Sequence, residues 1–340
     1  MNEPHHGDRR RRRNRTALFR SPKFLRHDTG NHPENPGRIA AIDAELHRRG
    51  LLDGRPEIAW GPAGVDQLER VHDPRYVEAI RRLARDGGAW LDADTLCGPD
   101  SVDVAMLGAG AAVAAVDAAM DATARRGFTL GRPPGHHATA VRGMGFCLLN
   151  SVAVAAAHAL SRGARRVAIV DWDVHHGNGT QDIFSRRADV LVCSVHQYGG
   201  HFYPGTGGAE ETGDGPGRGF TINAPLAPGQ NDRVYACVFD ELFLPALRTF
   251  DAEVILISAG FDAHADDPIA NMNLTEAGFA GLARRLVDLS EQTAADGRLV
   301  AVLEGGYDPA ALAGCVCAVL DVLDGGSGRA DDVGDARPRV

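Results

Sequence analysis

The stretch RRVAIVDWDVHHGN at residues 165–178 decides which fold is predicted. It begins with a run of aliphatic residues that do not alternate with polar ones, which is typical of a strand buried on both faces of a parallel sheet. At Asp171 the run gives way to a cluster of acids and histidines. In an open α/β sheet, ligands bind beyond the carboxyl ends of the strands, so this cluster marks a candidate site.

Four further runs have the same form, with a short aliphatic segment followed at once by polar residues and glycines. They are RGFTL before GRPPGHH (126–137), ADVLVCSV before HQYGG (188–200), AEVILIS before AGFDAH (252–264) and GRLVAVL before EGGY (297–307). Helices are predicted at residues 102–120, 151–160, 232–247 and 275–289, the last three beginning at Asn, Ser or Thr caps. The alternation predicts a single-domain α/β protein with a doubly wound, mainly parallel sheet and helices on both faces.

The chain has 340 residues and no interior segment that resembles a linker, so we predict one domain at residues 17–324. Residues 1–16 contain a run of five arginines, and residues 325–340 are rich in glycine and charge. Both ends are predicted to be disordered tails.

Composition limits the classes of partner. Outside residues 1–16 the chain carries 30 basic and 43 acidic side chains, which argues against direct binding to nucleic acid. The longest apolar stretch, residues 105–116, is too short to span a membrane. No apolar segment follows the basic start, so we expect no secretory signal and a cytoplasmic protein.

The six cysteines are scattered along the chain and form neither a disulfide framework nor a C-x-x-C zinc signature. Cys315 and Cys317 could bind a soft metal. Two cysteines two residues apart in an alanine-rich helical stretch are more often packing residues.

The acids and histidines of the opening stretch suggest a metal site. Strand alternation places Asp171 and Asp173 on one side, with His175 in step while the extended conformation lasts. Asp173 and His175 are thus candidate ligands, and Asp262, at another strand end, is the leading candidate for a third. Such a set leaves a position for water, as in a catalytic zinc site. Alternatively, the acids cap loops and His175 hydrogen-bonds to them.

Two other strand ends offer groups for acid and base chemistry. His136 and His137 follow a Pro-Pro-Gly turn, and a histidine beside a carboxylate-rich metal site could take the proton of a water molecule. Tyr307 could direct its hydroxyl at a developing oxyanion. Considered alone, the histidine pair and the tyrosine are more often surface or packing residues.

Three aromatic residues stand on glycine-flanked loops. Phe146 lies in GFC, and Phe202 and Tyr203 lie in HFYPG. By default they pack the core or a loop. Near the crevice they could instead wall a narrow tunnel for an extended aliphatic chain.

Six motifs together resemble a known family. RPPGHHA, GFCLLN, DWDVHHGNGT, SVHQYGGHFYPGTGG, SAGFDAHADDP and LEGGY occur in the order found in zinc-dependent histone deacetylases and their bacterial relatives, the histone-deacetylase-like amidohydrolases and acetylpolyamine amidohydrolases. The resemblance runs from about residue 27 to residue 307 and is closer to class II than to class I members. It implies the arginase/deacetylase-like fold.

The resemblance also implies roles for the site residues. Asp173, His175 and Asp262 would hold Zn²⁺, with Fe²⁺ as an alternative, and Tyr307 would help to polarise the amide carbonyl. His137 would be the general base and then the general acid, assisted electrostatically by His136. Asp171 would orient His136, and Asn178 would contact His137. Class I members have Asp in place of Asn178, so His137 should be less basic here.

Further residues are implied around this centre. A structural K⁺ would be held through Asp171, Asp173, His175, Ser194 and Val195. The substrate channel would include Gly145, Phe146, Phe202, Tyr203, Ile269 and Gly305, with Asp94 at its mouth. Polyamine-selective relatives have an acid where this chain has Ile269, which weakens the polyamine interpretation.

The sequence therefore predicts a zinc-dependent deacetylase that acts on an N-acetylated alkyl amine, most of all acetyl-lysine in peptides or proteins. Acetylpolyamines or other small N-acyl amides are the alternative substrates, and homo-oligomerisation is left open. An arginase-like dimanganese ureohydrolase is disfavoured because Gly177 and His264 stand where further carboxylates would be needed. A non-catalytic acyl-lysine binder is disfavoured because His137 and Tyr307 are both present.

Overall fold

The structure, a computed structural model, describes residues 15–326, and its centre is a seven-stranded sheet. The strands are β1 (Ala17–Phe19), β4 (Arg126–Thr129), β5 (Val167–Asp171), β6 (Val190–Gln197), β7 (Thr221–Leu226), β8 (Val254–Ala259) and β9 (Leu299–Leu303). All neighbouring strands pair in parallel, in the order β1-β4-β9-β8-β5-β6-β7. A separate antiparallel hairpin joins β2 (Ala89–Trp90) to β3 (Leu96–Cys97). The predicted parallel α/β sheet is confirmed.

Helices cover the sheet and the hairpin. They are α1 (Gly37–Arg48), α2 (Val65–Leu68), α3 (Pro74–Arg85), α4 (Ser101–Met120), α5 (Ser151–Ser161), α6 (Asn178–Phe184), α7 (Asp232–Val238), α8 (Leu244–Phe250), α9 (Glu276–Gln292) and α10 (Pro309–Leu323). Short 3₁₀ turns lie at Pro22–Arg26 and Gly215–Gly217.

Strand alternation divides the core into two hydrophobic clusters. In β5, Val167 and Ile169 pack in the cluster that contains α4 and α5. Ala168 and Val170 point the other way, into the cluster that contains α1, α9 and α10. All four side chains are fully buried, which explains why this strand carries no polar residue before its end.

Helix α4 has 20 residues and, by length and composition alone, could cross a membrane. It is longer than residues 105–116, the apolar stretch recognised in the sequence. However, 78% of its apolar window is buried inside the fold. Its apolar surface therefore packs against the sheet and against α5.

One predicted helix is wrong in detail. Residues 232–247 form α7, a wide π turn at Phe239–Phe243 and the start of α8 rather than one regular helix. Pro245 follows the π turn, and because proline has no N–H it cannot make the backbone bond that an α-helix requires there. Strands β1 and β7 were also not predicted, since β1 has three residues and β7 contains Pro225.

The predicted domain boundary shifts slightly at the N-terminus. Thr16, assigned to the basic tail, is fully buried, and its backbone N–H donates to Asp324 Oδ1 at 2.8 Å. Residues 1–14 and 327–340, which make up most of both predicted tails, lie outside the described residues.

The strand order places the candidate site. From β5 the chain continues to β6 and β7 on one side, whereas β8 and β9 lie on the other side. The crevice at such a switch point, outside the carboxyl ends of the strands, is where open α/β sheets bind ligands. The polar segments after β4, β5, β8 and β9 therefore converge on one edge of the sheet.

Candidate active site

Three predicted metal ligands meet at this edge. Asp173 and His175 follow β5, and Asp262 follows β8. One ligand atom from each residue lies within 4.8 Å of the other two. These residues are the one group of possible metal ligands found in the described part of the chain. His175 Nδ1 lies 3.2 Å from Asp173 Oδ1 and 3.0 Å from Asp262 Oδ2. All three side chains are buried.

Backbone groups hold the two carboxylates in place. Asp173 accepts hydrogen bonds from the N–H of His175 at 2.9 Å and of Gly305 at 2.8 Å, and Asp262 accepts one from Val174 N–H at 2.8 Å. A Cβ atom at Gly305 would collide with both carboxylates, so this position requires glycine. The predicted channel residue Gly305 thus lies beneath the ligands.

The donor set fits a divalent cation. Carboxylate oxygens and imidazole nitrogens both bind Zn²⁺, and three protein ligands leave the open position that a catalytic site needs. Burial, together with the neighbouring Asp173 carboxylate, raises the pKa of Asp262 to about 7. Two carboxylates this close in a buried site repel each other, and a dication bound between them would offset that repulsion. The same oxygen and nitrogen donors also suit Fe²⁺.

His136 lies between two of the acids. Its Nδ1 is 2.9 Å from Asp171 Oδ2, and its Nε2 is 3.7 Å from Asp173 Oδ1. Burial alone would lower the pKa of His136, but the charges of Asp173 and Asp171 outweigh it and hold that pKa well above its ordinary value. The hydrogen on Nδ1 therefore faces Asp171, and both carboxylates favour the protonated form of the ring.

His137 has a different partner. Its Nδ1 lies 2.7 Å from Asn178 Oδ1, while the amide nitrogen of Asn178 contacts Met144 Sδ at 3.5 Å. Because the amide oxygen can only accept, Nδ1 carries the hydrogen and Nε2 keeps its lone pair. Burial and the neighbouring charge of His136 hold the pKa of His137 well below its ordinary value. The two histidines thus have opposite protonation preferences, as an acid/base pair requires.

The loop that carries Tyr307 is fixed at every residue. Arg38 Nε donates to Gly306 O at 2.7 Å, and its guanidinium lies 5.1 Å from the centre of the Tyr307 ring. Tyr307 N–H donates to Asp267 Oδ2 at 2.6 Å. Burial, with the nearby Asp262 charge, raises the pKa of the Tyr307 phenol, so it keeps its proton and remains a donor.

A buried charged cluster that the sequence did not reveal supports both loops. Glu34 is fully buried and accepts bonds from Arg132 Nε at 2.8 Å, Arg132 Nη2 at 2.7 Å and Arg38 Nη1 at 3.1 Å. Arg132 begins the loop to His136, and Arg38 holds the Tyr307 loop. No local spacing predicts this, since Glu34 and Arg132 lie 98 residues apart.

Two of the aromatic residues predicted to line a tunnel lie beside groups of the centre. Phe202 stacks on the His175 imidazole with ring centres 5.0 Å apart and planes inclined by 6°. Phe146 stands edge-on to Tyr307 at 5.8 Å. Both aromatic residues therefore contact groups of the centre rather than only the core.

Gly145 and Tyr203, also predicted to line the tunnel, lie beside His137. Gly145 has φ +55°, and a Cβ atom there would collide with the His137 ring and the Tyr203 hydroxyl. Tyr203 stands perpendicular to His137 at 5.0 Å. Its hydroxyl is buried and has no hydrogen-bond partner within residues 15–326.

The two residues predicted at the mouth lie on neighbouring loops. The half-exposed Asp94 accepts from Thr95 Oγ1 at 3.4 Å, and the same hydroxyl accepts Phe146 N–H at 3.1 Å. Ile269 is half-buried, and its N–H donates to Asp267 Oδ1, the carboxylate that also holds Tyr307. Both loops are therefore joined to the tunnel wall.

Two further histidines do not join the ligands. His176, interpreted as structural, contacts Thr206 Oγ1 at 2.8 Å and Gln181 Oε1 at 3.0 Å. His264 has its Nε2 3.5 Å from Glu276 Oε2, away from Asp262. An arginase-like site would need a second set of metal ligands here. Neither histidine supplies one within the described residues.

The predicted potassium ligands are neighbours. Asp171 of β5 pairs in register with Ser194 of β6, and Val195 follows. Among the backbone hydrogen bonds of residues 15–326 outside helices and strands, none ends on the carbonyl of Asp173 or of His175. Both carbonyls are therefore free to meet a cation.

Comparison with known proteins identifies the family. Residues 32–323 match the Histone deacetylase domain family. The chain belongs to the histone deacetylase family. It is 40% identical to the histone deacetylase-like amidohydrolase of Pseudomonas aeruginosa over 92% of this chain and 86% of that protein. It is also 40% identical to a probable deacetylase of Archaeoglobus fulgidus, over 86% of this chain and 81% of the relative.

The solved structures agree with this assignment. The crystal structure titled HDA15 HD domain superposes with a TM-score of 0.88 at 36% identity, covering 93% of this chain and 89% of that one. The span matched to the histone deacetylase family contains all predicted site residues, from Asp94 to Tyr307. The resemblance drawn from the six motifs is therefore confirmed.

Proposed function

We propose that this protein is a metal-dependent amidohydrolase that removes the acetyl group from N-acetylated alkyl amines, with acetyl-lysine in peptides or proteins as the main substrate class. One observation carries the proposal. A buried set of Asp, His and Asp ligands lies beside two histidines with opposite protonation preferences, within a member of the histone deacetylase family.

Asp173, His175 and Asp262 would hold the metal, Zn²⁺ in the first instance and Fe²⁺ as the alternative. The bound ion supplies a Lewis acid that polarises the amide carbonyl and acidifies the attacking water. The protein contributes a buried cradle in which each carboxylate is already oriented by backbone N–H groups.

His137 is the proposed general base. Its Nε2 has a free lone pair because Nδ1 donates to Asn178, so it can take a proton from water. The same nitrogen can then return that proton to the leaving amine. His136, held by Asp171, keeps a positive charge close to the developing oxyanion without needing to transfer a proton.

Tyr307 is the proposed donor to the amide oxygen. Its phenol keeps its proton at neutral pH because burial raises its pKa. Its backbone is anchored through Asp267 and through Arg38, which limits the movement of the ring. A donor fixed in this way stabilises charge at the oxygen without reorganisation during the reaction.

The residues of the proposed tunnel favour a substrate in which a linear alkyl chain carries the amide. Phe146 and Phe202 present flat apolar surfaces near the centre, and Gly145 lets the backbone lie close against His137 and Tyr203. Ile269 offers no charge to a distal ammonium at the mouth. Acetyl-lysine therefore fits better than an acetylpolyamine, which remains the alternative together with other small N-acyl amides.

The test is a screen of acetyl-lysine peptides, acetylpolyamines and longer acyl-lysines with the purified, metal-loaded protein. We expect acetyl-lysine peptides to be hydrolysed and hydroxamates to inhibit. His137→Ala and Tyr307→Phe should lose activity, whereas Tyr198→Phe, a change at an exposed residue, should keep it. A metal-loaded wild type that cleaves none of these amides would contradict the proposal, and two manganese ions per chain would favour a ureohydrolase.

A structural K⁺ belongs to the same proposal, at the adjacent Asp171, Asp173, His175, Ser194 and Val195. The free Asp173 and His175 carbonyls support it. A higher unfolding temperature in K⁺ than in Na⁺ at equal ionic strength is expected, and equal temperatures would refute it. We also propose a cytoplasmic location, and we propose no nucleic-acid or membrane partner.

A further inference from the structure

The carboxylate of Glu304 is fully buried and holds the loop that carries the histidine pair. Its Oε2 accepts hydrogen bonds from the backbone N–H groups of Gly135 at 2.5 Å and His136 at 3.1 Å. Its Oε1 accepts from Ser258 Oγ, at the end of β8, at 3.2 Å. Both oxygens are thus paired with groups from two other strand ends.

The backbone of Glu304 is fixed just as firmly. Its N–H donates to Ala259 O at 3.1 Å, and its carbonyl accepts from Arg38 Nη2. The next residue, Gly305, donates to the metal ligand Asp173. One residue therefore connects the histidine loop, the sheet and the ligand set.

The histidine loop leaves little room for an alternative position. A Cβ atom at Gly135 would come within 2.7 Å of Ser151 N and 2.9 Å of Leu149 O, so this backbone lies directly on the start of α5. Without Glu304, the N–H groups of Gly135 and His136 would be buried with no acceptor. Such groups either stay unsatisfied at a cost in free energy or move to find a partner, and that movement would displace the adjacent histidines.

We propose that Glu304 is a positioning residue, which sets the place of His136 and His137 relative to the metal ligands through the backbone of their loop. The inference rests on the proposed function and deepens it. Glu304 touches neither substrate nor metal in this scheme, and we expect its hydrogen bonds to the loop to matter more than the charge that it places near His136.

Two conservative substitutions separate geometry from charge. Glu304→Gln keeps the length, since the amide oxygen accepts both backbone N–H groups and the amide nitrogen donates to Ser258. Glu304→Asp keeps the charge but shortens the side chain by one methylene, so its oxygens cannot reach both sides. Burial, offset in part by His136, raises the pKa of Glu304 to about 7, which agrees with a site that tolerates a neutral side chain.

The experiment measures kcat, KM and metal content of the full chain with an acetyl-lysine peptide. Glu304→Gln should keep kcat within about threefold of wild type, whereas Glu304→Asp should lose about 100-fold in kcat, the order expected for a displacement of about 1 Å. KM and metal content should stay within about twofold in both. Glu45→Asp, on the surface of α1, is the matched control and should equal wild type.

A second readout does not depend on activity. Hydrogen exchange of the segment at residues 131–138 should speed up in Glu304→Asp and stay unchanged in Glu304→Gln. Ser258→Ala, which removes only one of the contacts, should keep kcat within about threefold. Loss of activity in Glu304→Gln with retention in Glu304→Asp would overturn the proposal, as would equal exchange in both variants. An inactive wild type would instead count against the proposed function, while the exchange result still decides the role of Glu304.

Discussion

Glu34 provides the strongest prediction about stability, because one buried carboxylate neutralises two buried guanidinium groups. Arg132 binds it through two nitrogens and Arg38 through one, at distances of 2.7–3.1 Å. All three side chains are fully buried. Glu34→Gln would leave both cations without a compensating charge, and breaking a buried pair by removing one partner costs about 3–5 kcal/mol.

The assay is urea unfolding followed by circular dichroism. Glu45→Gln is the matched control, because Glu45 pairs with Arg48 and Arg49 on the surface of α1. Exposed ion pairs contribute about 0–1 kcal/mol, so the control should lose far less. A loss below about 1 kcal/mol in Glu34→Gln would refute the reasoning, since the two arginines would then not depend on this carboxylate.

The dependence on pH gives a second check. Burial alone would raise the pKa of Glu34, but the hydrogen bond from His27 and the charge of Arg132 outweigh it and hold that pKa well below its usual range. A carboxyl whose pKa is depressed by folding stabilises above its unfolded value, about 4.5, and that contribution is lost as the pH falls toward the folded pKa. The difference between wild type and Glu34→Gln should therefore be constant near neutral pH and shrink below about pH 4.5.

Three further predictions concern the centre. Asn178→Asp should raise the pKa of His137 and move the acid limb of the kcat/KM profile to higher pH by about one unit, and an unmoved limb would mean that the amide oxygen is not its partner. Tyr203→Phe should leave stability unchanged or raise it by about 1 kcal/mol, because its hydroxyl lacks a partner within residues 15–326. Tyr76→Phe, the control, should lose about 1–2 kcal/mol because its hydroxyl donates to Leu148 O at 2.6 Å. Chelation should abolish amide hydrolysis, and restoring Zn²⁺ or Fe²⁺ should tell which ion supports it.

The sequence predicted the site best where the reactive residues directly follow a strand. Unalternating aliphatic runs predicted five of the seven sheet strands, and the polar residues after them predicted that Asp173, His175 and Asp262 converge. Alternation along β5 places consecutive side chains on opposite faces. The two-residue spacing of Asp171, Asp173 and His175 therefore predicted that they point to the same side. Strands β1 and β7 escaped prediction because edge strands need neither length nor a continuous apolar run.

What escaped prediction shares one physical property. Glu34, Glu304 and Asp267 are acids that each accept from at least one group 40 or more residues away, and each holds a loop rather than the reacting groups. Their neighbours in the sequence say nothing about this, because the contact exists only after β4, β8 and β9 have been brought side by side. A Pro-Gly-His-His or Gly-Gly-Tyr loop exposes backbone N–H groups that helices and strands would otherwise satisfy, and buried N–H groups require acceptors. Buried carboxylates meet that requirement here, so the loops that build the site are the ones that bring acids into the protein interior.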